Sequence, residues 1–169
     1  METNKARAIK VRTAGLVDAG EITRVINSAF RLAEGFFIDG DRINLEEVVK
    51  LFSTGTILLA ETDGDVVGCV YVEPRNSQLA RSYLGLLSVD PGQQQSGLGS
   101  LLMGAAEDYC RRAGSQYMDI RVVNLRNELP AFYRKRGYIE TGTSPFPPDI
   151  ETKVPCHFIE MSKALTPTL

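Results

Sequence analysis

One stretch limits the possible folds more than any other. From Tyr83 to Val123 an apolar run, a glycine-punctuated turn, an amphipathic run and a second apolar run follow one another. The first, Tyr83-Leu84-Gly85-Leu86-Leu87-Ser88-Val89, has the length and composition of a buried strand, and Asp90-Pro91-Gly92 ends it. Gly97 and Gly99 lead into Leu98, Leu101, Leu102, Ala105 and Tyr109, which recur at helical spacing until Gly114 stops them. A strand over Met118 to Val123 follows. This is a βαβ order, so the two strands are expected to run parallel in one sheet. Gly85, inside the first strand, marks a bulge or a close approach.

Periodicity supplies the other elements. Ile9, Val11 and Thr13 alternate with Lys10 and Arg12, which predicts a short half-buried strand. Asp18 is placed as the N-cap of a helix whose buried stripe is Ile22, Val25, Ile26, Ala29 and Phe30. Leu45, Val48, Val49 and Phe52 predict a second helix. Thr56 to Thr62 and Val66 to Glu73 flank Asp63-Gly64-Asp65, a hairpin signal that makes them antiparallel neighbours. A short helix is expected over Glu128 to Arg136, with Pro130 tolerated in its first turn and Gly137 closing it. Strands near Tyr138 to Thr141 and Cys156 to Met161 finish the chain, on either side of a loop through Pro145, Pro147 and Pro148. The fold class that follows is α/β, a mixed sheet of six or seven strands flanked by about four helices.

Composition excludes several classes of function. The 169 residues suit one domain spanning 1–169. Nineteen Lys and Arg stand against 21 Asp and Glu, a formal charge of −2, so no global positive excess exists to hold nucleic acid. No apolar run approaches the ~20 residues of a membrane helix, and the first ten positions lack a signal-peptide apolar region, so a cytoplasmic location is expected. The three cysteines, Cys69, Cys110 and Cys156, fit neither a disulfide framework nor a zinc pattern. His157, the one histidine, has no second histidine for a metal site and reads as a packed or edge residue.

The chemistry concentrates in Gln94-Gln95-Ser96-Gly97-Leu98-Gly99-Ser100. Glycines let the main chain approach a ligand closely, and first-turn N–H groups with the helix dipole suit a pyrophosphate; on spacing alone, Gly97 and Gly99 serve equally well as a tight strand-to-helix turn. A dinucleotide fingerprint would need a glycine where Leu102 stands, and a P-loop would need Gly-Lys-Ser/Thr, which does not occur. The Q/R-x-x-G-x-G/A signature does occur. With Leu86 to Pro91 before it, Phe132-Tyr133 and Gly137-Tyr138 after it, and a closing strand ending in Met161, the chain resembles the GNAT superfamily of N-acetyltransferases over nearly its whole length.

The resemblance implies acetyl-coenzyme A as co-substrate, its pyrophosphate held by the backbone of Gln94, Gln95, Ser96, Gly97, Leu98, Gly99 and Ser100. It implies a pantetheine arm between parallel strands that splay apart, pairing near Leu87 and Val89 and reached by Asn124 or Asn127. The family's helix tyrosine corresponds to Tyr133, placed to donate to the departing thiolate. Read from the helix alone, Tyr133 shares an apolar face with Leu129 and Phe132 and equally well only packs. Where many members carry a strand glutamate as general base, this chain has Tyr83, and Glu73 is the leading substitute. Arg126 stands where a helix-opening asparagine is common, and Asn127 is equally well a helix cap. Arg134-Lys135-Arg136 is a solvated face or a contact for a ribose 3′-phosphate. The expected partner is a small-molecule or peptide amine, bordered by Arg31, Glu34, Phe36, Phe37, Asp39 and the loop near Phe146, and a homodimer is compatible with the family. The competing reading is a non-catalytic domain that binds an acyl-coenzyme A as a sensor or interaction module.

Overall fold

The computed structural model describes residues 8–75, 80–93 and 97–166. Its elements are β1 (Ile9–Thr13), α1 (Ala19–Glu34), α2 (Leu45–Thr54), β2 (Thr56–Thr62), β3 (Asp65–Arg75), β4 (Arg81–Val89), α3 (Leu98–Arg112), β5 (Tyr117–Val123), α4 (Glu128–Arg134), β6 (Ile139–Pro145) and β7 (His157–Ala164). The strands form one sheet in the order β1-β2-β3-β4-β5-β7-β6. The seven strands and four helices agree with the expected mixed α/β architecture, and β4 with β5 is its parallel pair.

Alternation along β2 explains why its apolar run is continuous. Ile57 and Leu59 pack beneath α1 and α2 with Ile22, Val25, Ile26 and Val48, whereas Leu58 and Ala60 pack beneath α3 with Leu98, Leu102 and Ala106. Both faces of the central strands are covered, so both sets of side chains are apolar. The β2–β3 connection turns on Asp63 and Gly64, both at positive φ, as a two-residue hairpin of the type that matches strand twist. At the sheet edge β1 is covered less, which leaves Ile9 exposed.

Two caps differ from expectation. Asp18 does precede α1, but its carboxylate turns back to accept from both terminal nitrogens of Arg12 at 2.8 and 2.9 Å and from the Gly15 N–H at 2.8 Å. A chain turn through Leu16–Asp18 holds it there. Asn127 sits at the N-cap of α4, yet its side chain makes no capping hydrogen bond. Strand ends also moved. β3, β4 and β7 each extend beyond their predicted limits because ladder partners continue past the apolar run, as in the pairs Pro74↔Ser82 and Met118↔Lys163.

The feature that positions the site is a fork. β4 and β5 pair only at Arg81↔Tyr117, Ser82↔Met118 and Tyr83↔Asp119. Beyond Tyr83, β4 stays with β3 and β5 stays with β7, so the two strands part. An irregularity in β4 assists: the β3–β4 register slips between Cys69↔Ser88 and Tyr71↔Gly85, and Leu86 takes φ +54°. Such a bulge bends a strand and sharpens its twist. Gly85 marks the close approach its sequence position suggested, since a Cβ there would lie 2.7 Å from the Tyr83 ring.

Candidate active site

The fork opens toward the start of α3. Gly97, at φ +78°, makes the left-handed turn that aims the helix, a conformation L side chains rarely adopt. The Leu101 N–H donates to Gly97 O at 3.1 Å and is the first helical donor, so the amides of Leu98, Gly99 and Ser100 lead the helix without acceptors inside it. Gly99 is less constrained: a Cβ would meet Val89 at 3.9 Å and Phe132 at 4.0 Å, ordinary contacts. Gln94, Gln95 and Ser96 lie outside the described residues.

A groove of about 410 Å³ continues from this turn between α3, the end of α4 and β7. Ser100, Gly104, Lys135 and Arg136 line it, together with Glu107 and Lys163. Arg136 lies over the Phe132 ring at 3.7 Å and contacts the Ser100 hydroxyl. Glu107, nearly buried, accepts from Lys163 Nζ at 3.0 and 3.1 Å and from the Tyr138 hydroxyl at 3.0 Å. Arg134 faces elsewhere, paired with Glu140 at 2.7 Å.

Tyr133 is 8% exposed and packs edge-on against Phe132 and Tyr138. Its hydroxyl takes part in no hydrogen bond among the described residues. Burial pushes this phenol up to about 12, with Tyr83 adding to the rise and Arg126 and Arg136 opposing it. Tyr133 therefore holds its proton throughout the physiological range.

Tyr83 and Glu73 face each other across the β3–β4 ladder, on the sheet face that carries Tyr71. The Glu73 carboxylate accepts from the Tyr71 hydroxyl at 2.7 Å, and that hydroxyl lies 2.6 Å from Thr54 Oγ1. Glu73 is thus tied to the end of α2, while Tyr133 belongs to the core on the opposite face of the sheet. Arg75 and Arg121 approach the Tyr83 ring at 4.7 and 5.6 Å. Asn124 accepts from the His157 N–H at 2.8 Å through Oδ1, which joins the end of β5 to β7, and its amide NH₂ carries two donors for another partner.

Sequence reasoning passed over Arg75 and Arg121 as contributors to this cleft. Nothing in their spacing signals it, because two separate strands deliver them.

Similarity to known proteins follows the same outline. The model of the acetyltransferase (GNAT) family matches residues 25–138. YhfO of Bacillus subtilis, named an uncharacterized N-acetyltransferase, is 26% identical over 87 residues, covering 50% of this chain and 58% of that protein. The match spans less than two thirds of that relative's length. Ard1 of Thermoplasma volcanium superposes with a TM-score of 0.76 at 19% identity, covering 94% of this chain and 99% of the other. The ribosomal-protein-S18-alanine N-acetyltransferase of Escherichia coli superposes at 0.73 with 13% identity, covering 96% and 97%. YncA of Salmonella typhimurium, solved with its cofactor acetyl-CoA, superposes at 0.74 with 19% identity, covering 94% and 95%. At such identities the shared property is the fold.

Proposed function

The chain belongs to the acetyltransferase (GNAT) family, and from that premise we propose that it moves an acetyl group from acetyl-coenzyme A to a primary amine by direct attack. The observation that carries this reading is the fork beyond Tyr83, with a left-handed glycine aiming a helix N-terminus into it. The residues present fit the co-substrate: an unpaired strand edge for amides, leading helix amides for a diphosphate, and two cations along the adjoining groove.

In this reading the backbone near Leu87 and Val89 pairs with the pantetheine arm, and the Asn124 NH₂ supports it. The amides of Gln94 to Ser100 hold the diphosphate, and Lys135 and Arg136 meet the phosphorylated nucleotide end. Acetyl-coenzyme A supplies an acyl group already activated as a thioester. Tyr133 donates a hydrogen bond into the cleft. With its phenol at about 12 and a thiol near ~8.5, full release of that proton costs about 5 kcal/mol, so stabilisation by a retained proton is favoured over transfer. Glu73 is the proposed proton acceptor, directly or through water.

The test is turnover. Purified protein should bind coenzyme A in calorimetry and release free thiol from acetyl-coenzyme A when amines are added, and Tyr133→Phe should bind but turn over slowly. Binding without turnover across a broad amine panel would favour an acyl-coenzyme A sensor. Glu73→Gln should change the pH–rate profile, and an unchanged profile removes Glu73 from the mechanism.

A further inference from the structure

The Glu73 carboxylate has a single fixed partner. Among the described residues no cation lies within ion-pair range of it, and the Tyr71 hydroxyl, 2.7 Å from Oε2, is its one hydrogen-bond donor. Tyr71 stands two residues earlier on β3 and on the same face, in the core under α1 and α2, and is 4% exposed. Its ring fits there because α2 ends beside it in a glycine. A Cβ at Gly55 would lie 2.6 Å from the Tyr71 ring and collide with Val72 O, so the ring seats only against a residue that lacks one. Thr54, the last residue of α2, places its Oγ1 2.6 Å from the Tyr71 hydroxyl.

Proton counting fixes the direction of this chain. A phenol carries one proton and a carboxylate can only accept, so the Tyr71 proton goes to Glu73. Thr54 must then be the donor to Tyr71. Its alternative acceptor, Leu51 O, is more distant at 3.3 Å and already accepts from the Gly55 N–H at 2.9 Å. Burial pushes the Tyr71 phenol up to about 12, so it keeps its proton and stays a donor. We propose that Tyr71 is the positioning residue of the base: it holds Glu73 Oε2, Thr54 holds Tyr71 in turn, and Oε1 is the atom left to take the proton of the acceptor ammonium. This rests on the acetyl-transfer reading above, in which Glu73 is the proton acceptor, and adds how that base is held. In the step an N–H bond of the ammonium breaks and an O–H bond forms at Oε1, while the Tyr71 proton stays on its own oxygen. Glu73 is half-buried, so water can afterwards take the proton from it. A carboxylate fixed before the substrate arrives leaves less ordering to be done in the transition state.

The experiment uses the full chain and reads thiol release from acetyl-coenzyme A with a panel of amines. Independently of turnover, it reads the carbon resonance of the Glu73 carboxyl in protein carrying isotope-labelled glutamate, assigned by its loss in Glu73→Gln. Tyr71→Phe keeps the ring and its packing, so it should fold. It should lower kcat about 10-fold with coenzyme A affinity within about twofold of the parent, and it should move the Glu73 resonance at neutral pH. Thr54→Val should cost less, about threefold, because the bond from Tyr71 to Glu73 stays. In a Glu73→Gln background Tyr71→Phe should cost nothing further, whereas a residue that only packs would cost the same in both backgrounds. Undiminished kcat in Tyr71→Phe, an equal loss in both backgrounds, or an unmoved Glu73 resonance overturns the proposal. If Glu73→Gln turns over like the parent, the base is elsewhere and the positioning role falls, while acetyl transfer itself stands. Absence of coenzyme A binding instead sinks the acetyl-transfer reading, and the resonance still decides whether Tyr71 holds the carboxylate.

Discussion

Arg81 grips Asp119 through two hydrogen bonds, at 2.6 and 2.8 Å, where β4 and β5 last run side by side. The clasp sits at the root of the fork, and Ser162 on β7 accepts from the same guanidinium at 2.8 Å. Arg81→Ala leaves a nearly buried carboxylate with only Arg75, at 3.7 Å, to compensate it. The expected loss is about 2 kcal/mol, read from the midpoint of urea unfolding.

Burial of Tyr133 leads to a kinetic expectation. Tyr133→Phe should lower kcat by about 100-fold while changing coenzyme A affinity less than about twofold, since the ring and its packing remain. In the proposed reaction the phenol acts while protonated, and burial holds it so up to about 12. No alkaline loss of rate attributable to Tyr133 should therefore appear below about pH 11. Steady-state kinetics across pH, with the variant as reference, measures this.

The two glycines of the turn should respond differently. Gly97→Ala forces a Cβ into φ +78° and should cost about 1 kcal/mol of stability and weaken coenzyme A binding about tenfold. Gly99→Ala meets only ordinary contacts, at 3.9 and 4.0 Å, and should bind within about threefold of the parent. Calorimetry on both variants separates a conformational requirement from a steric one.

Acid stability should depend on Asp18. Hydrogen bonds from Arg12 and the Gly15 N–H, working against burial, hold this carboxyl at about 2. A carboxyl lowered by folding stabilises fully above its unfolded value of ~3.9 and loses that contribution as pH falls through the folded one. The contribution, about 1 kcal/mol after solvent screening, should fade between about pH 4 and about pH 2. Asp18→Asn should lower the melting temperature at pH 7 and have no effect near pH 2.

Much of the fold was legible because it is local. The Asp63-Gly64 turn, the stripe of α1 and the βαβ order from Tyr83 to Val123 each follow from residues a few positions apart. The Gly97 turn was legible for the same reason, whereas the role proposed for Tyr133 came from the family resemblance and not from its own helix, where it also fits as a packed residue. Other assignments required neighbours from far along the chain. Asp18 looked like a cap until Arg12 drew its carboxylate away, and Asn124 looked free until His157 on β7 took its oxygen. The insertion of β7 between β5 and β6 is likewise invisible in a linear pattern, because strand order reflects which edges remain to be paired.

From its residues alone the chain was committed to a mixed sheet with one parallel pair and to a glycine-led helix pointing at that pair, since periodicity and turn chemistry act over a few bonds. How far the pair stays together, how strongly Tyr133 holds its proton, and which charges gather around Tyr83 were decided by packing. Those properties depend on burial and on distances between segments tens of residues apart, and such distances exist only once the sheet has closed.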